Sequence, residues 1–236
     1  MCGRFQQSSP LDKLRDRFGF TDAPLNYRPR WNLAPGQEAL VVRAGAAGRE
    51  GAMLRWGLVP SWAKDDKSGG RMINARAEGL ADKPAFGGPL RRLRCLVPAD
   101  GFYEWAPAGG GKQPYRLFCK DGEPFALAGL WDRWRGPNGE ELQSFTIITT
   151  RANRLAAAIH QRMPVMLARG DEDPWLDPAS GLARLEGLLR PYPAGEMKAV
   201  AVSRQINSAA CEGPEIIEPV ETQGGLFDGW EQGGDS

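Results

Sequence analysis

A cysteine directly behind a methionine opens this chain, Met1-Cys2-Gly3-Arg4-Phe5, and position and residue type together suggest chemistry. Once Met1 is removed, the α-amine and thiol of Cys2 share one carbon skeleton as a 1,2-aminothiol. The free α-amine titrates at about 7.7–8.0 and a thiol at about 8.5, so both are appreciably nucleophilic near neutral pH. An aldehyde can form an imine with the amine and then be captured by sulfur as a five-membered thiazolidine. No internal cysteine can do this, because its nitrogen is an amide. The plainer alternative is a small buried residue at the start of a first strand.

Three further positions carry groups suited to that chemistry. Glu104 stands between Tyr103 and Trp105 in a strand-like run with Phe102 on its own face. Such surroundings desolvate a carboxylate and raise its pKa toward proton transfer, whereas a rim position would make it an ordinary arginine partner. His160 is the chain's one histidine, and its unperturbed pKa suits proton shuttling at neutral pH. Its place where a helix gives way also fits a cap for orphan carbonyls. Asn74 and Arg76 lie two apart and face the same way if extended, so an amide and a guanidinium converge to orient an amine or hold a phosphate. Trp31, Trp56, Trp62 and Trp105 are interleaved with Arg4, Arg28, Arg30, Lys64 and Arg76. Single-stranded nucleic-acid grooves combine cations for phosphate with ring faces for bases in this way, although several of these rings must be core.

The elements that position these groups read as follows. Phe5 opens a strand. Ser8-Ser9-Pro10 starts a capped helix with Leu11, Leu14 and Phe18 on one face, stopped by Gly19. Tyr27–Gly36 is extended and punctuated by proline. Leu40–Val42 and Ala52–Val59 form a hairpin, and Asp65–Gly70 is a polar loop. Cys95–Pro98 and Gly101–Trp105 are strands around a tight turn. Tyr115–Cys119, Phe125–Trp131 and Ser144–Thr149 are strands punctuated by Asp121-Gly122 and Asn138-Gly139. Asn153–Ile159 and Leu182–Leu189 read as helices, and Met163–Leu167 and Lys198–Val202 as strands. With no βαβ rhythm and no repeat, the fold class is α+β: a β-dominated single domain of many short antiparallel strands with two or three helices. It spans residues 1–221, followed by an acidic, Gly-rich tail at 222–236 that is expected to be disordered.

Composition narrows the functions further. The chain has 236 residues, 42% of them apolar, enough for a substantial core. Its formal net charge of +1 hides an asymmetry: of 29 acidic residues, seven lie from Glu212 onward where no Lys or Arg occurs. The remaining 22 face 30 basic residues in Met1–Cys211, a charge of +8 that permits a polyanionic partner. The four cysteines at 2, 95, 119 and 211 form no CxxC pair and no disulfide scaffold, so neither a metal nor a disulfide framework is expected. There is no signal peptide, no run long enough to span a bilayer, and no GxGxxG, Walker loop or HExxH. The expectation is a cytoplasmic monomer with no cofactor and no membrane, nucleoid-associated when bound to DNA.

Several blocks resemble the SOS-response-associated peptidase (SRAP) family: Met1-Cys2-Gly3-Arg4-Phe5, Tyr27–Gly36, Arg55–Trp62, Asn74-Ala75-Arg76-Ala77-Glu78, Pro98–Trp105, and Thr149-Thr150 through His160-Gln161-Arg162-Met163-Pro164-Val165. The resemblance is ordered along residues 1 to about 220. It implies a protein that binds abasic sites in single-stranded DNA and shields them by a covalent thiazolidine crosslink through the N-terminal cysteine, with AP-lyase cleavage as a side activity. The peptidase name reflects release of the residue before that cysteine, here Met1. The matching catalytic positions are Cys2, Asn74, Glu104 and His160. Arg4, Arg76 and Arg162 would grip the DNA, joined by Trp62, Lys64 and Trp105 from the aromatic and basic stretches.

Two other readings compete. An N-terminal Cys-Gly also opens glutamine amidotransferases, and Arg135–Glu140 mimics pieces of their motifs, although Asn138-Gly139 is expected turn chemistry. A non-covalent single-strand binder with an incidental Cys2 is the second.

Overall fold

In the computed structural model, which describes residues 2–22, 24–221 and 226–227, two sheets share one core. Among the described residues the strands are β1 (Phe5–Gln7), β2 (Arg30–Leu33), β3 (Glu38–Gly45), β4 (Gly48–Trp56), β5 (Asn74–Arg76), β6 (Arg94–Ala99) and β7 (Gly101–Ala108). They continue as β8 (Gly111–Cys119), β9 (Phe125–Arg135), β10 (Glu141–Arg151), β11 (Arg162–Pro164), β12 (Met166–Leu167) and β13 (Met197–Ala201). The helices are α1 (Leu11–Phe18), α2 (Gly87–Arg92), α3 (Arg154–Ala157), α4 (Arg169–Leu176) and α5 (Leu182–Leu188).

The smaller sheet runs β13-β8-β7-β1-β2. The larger closes on itself, because β10 pairs antiparallel with β9 and parallel with β4, and β4, β3, β6 and β9 complete the ring. Closure removes exposed edges in the way barrels do. Short β5 and β11 add to the end of β10, β5 parallel with Asn74 opposite Ile147, and β11 antiparallel with Arg162 opposite Arg151. Alternate side chains of the larger sheet divide between two cores. One holds Cys2, Phe5, Phe102 and Leu117 from the small sheet with Val41, Trp56, Val97 and Phe145 from the large one. The other lies under the helices, around Leu14, Phe18, Leu90, Trp175 and Leu185.

The β-dominated α+β single domain is the fold observed, and the β3–β4 and β9–β10 hairpins fall where the sequence places them. Asn138-Gly139 turns the second hairpin, with Gly139 at φ 88. The expected pair around Asp100 is different: β6 and β7 are consecutive strands of different sheets. A hairpin would leave Asp100 in solvent. Instead its carboxylate accepts from the Ser8 and Ser9 amides (2.6 and 2.9 Å) and the Ser9 hydroxyl (2.5 Å). Those serines are therefore taken from the capping role expected of them, and α1 starts at Leu11 with Pro10 at its N-cap and no side-chain cap.

The helix count of two or three is also too low. Helix α2 opens on Gly87-Gly88-Pro89, a turn signature in sequence, because the Ala81 carbonyl oxygen lies 2.3 Å from where a Gly87 Cβ would sit. Helix α4 carries Pro174 within it. The tail expected to be disordered lies outside the described residues apart from Leu226 and Phe227, and the Phe227 ring meets Tyr115 edge-on with centroids 5.4 Å apart.

Candidate active site

Strand β1 fixes where Cys2 can be. The Gln7 side chain joins the two sheets, donating to the carbonyls of Leu40 (2.9 Å) and Pro98 (2.8 Å) and accepting from the Leu40 amide (2.9 Å). Phe5 pairs with Phe102 of β7, and the Tyr103 amide donates to the Arg4 carbonyl at 3.0 Å. This antiparallel register, continued toward the N-terminus, brings Cys2 beside Glu104 and Trp105. Cys2 is fully buried, and its thiol lies 3.8 Å from the Arg4 carbonyl.

That burial corrects the expectation of an ordinary thiol. Desolvation pushes the Cys2 thiol far above its usual pKa, and the negative charge of Glu104 pushes it the same way. Both effects disfavour the thiolate. Glu104 is itself buried, on the face of β7 that also carries Phe102 and Ala106 into the shared core.

Asn74 comes from the other sheet. Its amide Nδ2 donates to the Cys2 carbonyl at 2.7 Å, across 72 residues of sequence. Because a carbonyl can only accept, this bond fixes which way the amide is turned. Asn74 Oδ1 is buried with no hydrogen-bond partner among the described residues, an acceptor held beside Cys2.

His160 follows α3, whose Asn153 N-cap side chain accepts from the Ala156 amide at 2.8 Å. It stands two residues before β11, which pairs with β10 as β5, the strand of Asn74, does. Its Nδ1 is 3.0 Å from the Arg162 amide nitrogen and 3.1 Å from the Arg162 carbonyl oxygen. Accepting from the amide leaves the neutral ring protonated on Nε2. A protonated ring can instead donate from Nδ1 to the carbonyl. Either way one backbone unit, that of Arg162, holds the ring in place.

The residues expected on DNA are distributed unevenly. Arg76 and Lys64 are exposed, and the Trp62 ring is 63% exposed. The base of its loop is tied down by Ser61 N–H to Asp132 (2.8 Å) and by the Trp134 indole to the Ala63 carbonyl (2.7 Å). Trp105 is half-buried and its indole donates to Asn207 at 2.7 Å. Arg4 turns inward, donating to Asn32 Oδ1 (2.7 Å) and the Ile206 carbonyl (2.8 Å), and so ties the N-terminal segment to the C-terminal one. Arg162 forms a fork with Glu78, at 2.8 and 2.9 Å. Trp56, placed in sequence among the stacking candidates, is core: its ring packs against Phe5 and Phe145 and its indole donates to the Ile73 carbonyl at 2.9 Å. Glu78 was not singled out by its chemistry in the sequence. It stands two residues beyond Arg76, but its partner is 84 residues away, and no local spacing announces that pairing.

Comparison with known proteins places this geometry in context. The family model described as SOS response associated peptidase (SRAP) matches residues 1–209. The chain is 43% identical to the abasic site processing protein YoqW of Bacillus subtilis over 222 residues, covering 92% of this chain and 99% of that protein. It is 35% identical to the abasic site processing protein HMCES of Gallus gallus, covering 94% of this chain and 78% of the relative. A crystal structure of a protein from Bacteroides thetaiotaomicron superposes with a TM-score of 0.86 at 28% identity, covering 93% of this chain and all of the other.

Proposed function

The chain belongs to the SOS response associated peptidase family, and from that premise we propose that it processes abasic sites by capturing the sugar aldehyde in single-stranded DNA on the aminothiol of Cys2. The observation that carries this reading is the Asn74 side chain, with Nδ2 on the Cys2 carbonyl and Oδ1 buried beside it without a partner. That arrangement suits a residue that holds the Cys2 backbone and offers an acceptor to an amine or a sugar hydroxyl. The relatives' names, abasic site processing proteins, point to the same substrate.

An abasic deoxyribose interconverts between a closed hemiacetal and an open form with a C1′ aldehyde. His160 moves the proton that opens the ring. With Met1 gone, Glu104 takes a proton from the Cys2 ammonium, and the amine attacks C1′ to give a carbinolamine. Loss of water, with the proton supplied by Glu104 or His160, leaves an imine. The Cys2 sulfur then adds to the imine carbon while its proton passes to the imine nitrogen. The product is a five-membered ring of sulfur, Cβ, Cα, nitrogen and C1′. One water leaves overall and nothing is oxidised or reduced. Burial and the Glu104 charge, which both disfavour the thiolate, fit this order, amine first and sulfur second. Each positioned acid or base contributes about 10²–10⁴-fold in rate.

An imine at C1′ also acidifies C2′, so β-elimination and strand cleavage compete with sulfur capture. The test is a denaturing gel of Met1-processed protein with an abasic single-stranded oligonucleotide. The parent gives a heat-stable crosslink, and Cys2→Ala gives none while its amine still nicks. A heat-stable crosslink from Cys2→Ala overturns the thiazolidine account. A complex that forms on undamaged strands and never survives denaturation makes the protein a non-covalent binder, and ammonia release from glutamine makes it an amidotransferase.

A further inference from the structure

We propose that Glu78 is a positioning residue for His160, acting through Arg162. The inference deepens the reading above and rests on His160 as a proton-transfer group.

The backbone and the side chain of Arg162 have different tasks. Its backbone meets the His160 Nδ1, at 3.0 Å from nitrogen and 3.1 Å from oxygen. Its guanidinium is clamped: Nη1 and Nη2 donate to the two Glu78 oxygens at 2.8 and 2.9 Å, and Nη2 also reaches the Thr149 carbonyl at 2.5 Å and the Thr149 hydroxyl at 3.3 Å. Arg162 opens a strand of only three residues, so few ladder bonds orient its peptide. The side-chain clamp supplies the missing restraint. A planar fork on a carboxylate fixes direction as well as distance, which a single lysine-like contact would not. The Arg162 side chain is 18% exposed against 59% for Glu78, so the cation is largely covered while the carboxylate comes in from outside. Hydrogen bonding to Arg162 also lowers the Glu78 pKa, keeping the clamp ionised.

Glu78 lies on the segment that carries Asn74, four residues on. The Ala77 amide donates to the same Thr149 carbonyl that Arg162 contacts, at 2.9 Å. One short stretch therefore holds the Cys2 carbonyl at one end and the His160 support at the other. Asn74 and His160 are set relative to each other through the end of β10 rather than independently.

His160 is the chain's only histidine, so its ring can be read in the intact protein without assignment. The experiment compares imidazole ¹⁵N shifts at one neutral pH in the parent, Glu78→Ala, Glu78→Gln and Arg162→Ala. The parent shows an Nε2–H ring with Nδ1 accepting. Glu78→Ala moves both nitrogens toward the averaged values of a mobile ring, and Glu78→Gln, which keeps an acceptor, restores part of the difference. Under saturating protein, Glu78→Ala slows crosslinking by about tenfold, a fraction of what a positioned acid or base contributes. In the Arg162→Ala background, Glu78→Ala has no further effect, as required of residues acting in series. Ring shifts identical in parent and Glu78→Ala overturn the proposal. So does tighter binding to undamaged strands with an unchanged crosslinking rate, which would make Glu78 a placeholder for a DNA phosphate. Altered ring shifts in a protein whose parent forms no crosslink would leave the positioning intact and sink the crosslinking reading instead.

Discussion

At Asn74 a single amide is asked to do two opposite things, donate to a backbone carbonyl and keep an acceptor in reserve, and only an amide can do both. Asn74→Asp is nearly isosteric and therefore informative. Its ionised carboxylate would face the Cys2 carbonyl at the 2.7 Å now occupied by a hydrogen bond, acceptor against acceptor. Leaving such a buried group unsatisfied costs roughly 1–3 kcal/mol. Cys2 can relieve the conflict by moving, so the expected outcome is a crosslinking rate down by at least tenfold with a melting temperature only modestly lower. A variant that crosslinks at the parental rate would show that the Asn74 bond to Cys2 is incidental. Cys2 itself illustrates how far environment can shift a group: burial, and then the Glu104 charge, push up the pKa of the thiol read as moderately nucleophilic in sequence.

Between residues and fold, β1 is the element on which the site depends, and Asp100 is its latch. Its carboxylate gathers Ser8 and Ser9 while its amide donates to the Gln6 carbonyl at 2.8 Å. Asp100→Ala leaves two backbone donors to find new partners, and a cost of about 2–3 kcal/mol is expected. Because those donors follow β1 directly, crosslinking should fall at temperatures where the variant remains folded. Thermal melting and the gel assay together check this; a destabilised variant with parental crosslinking would separate the latch from the site. Asp100 also marks the limit of legibility. Alternation and turn residues suffice to find β6 and β7, since both are intrinsic to a few neighbouring positions. Which sheet each joins depends on Gln7 and the serines more than ninety residues away, and nothing local encodes that. Cys2, Glu104 and His160 are readable because their types or positions are rare in this chain. The inward turn of Arg4 toward Asn32 and Ile206, and the Glu78 clamp, are not readable, because an arginine's partner is chosen by the tertiary fold.

Across the whole molecule, the same burial that governs Cys2 sets how stability responds to alkali. Burial raises the thiols of Cys2 and Cys95 well above their usual range and that of Cys119 up to about 12, and it raises the Tyr27 and Tyr103 phenols too. Each of these groups is neutral when protonated. Above about pH 8.5 an unfolded chain releases thiol protons that the folded chain retains. The folded state then binds more protons, so stability falls as pH rises; the contribution is complete below the ordinary thiol pKa and is lost progressively above it. Each thiol removes up to about 1.4 kcal/mol per pH unit, and three together up to about 4 kcal/mol. For a domain of this size a drop in melting temperature on the order of 10 °C per unit follows. Cys95 offers the cleanest control. Its sulfur sits 2.7 Å from where a Cβ on Gly129 would be, filling space that the glycine leaves, and it lies outside the proposed chemistry. Cys95→Ala should lower the melting temperature near neutrality by opening a small cavity, yet make the decline below about pH 10, where thiols but not yet phenols titrate, shallower by about a third because one of three titrating thiols is gone. Melting curves between pH 8 and 10.5 decide the matter: if the variant declines as steeply as the parent, buried thiols do not govern the alkaline limit of this fold.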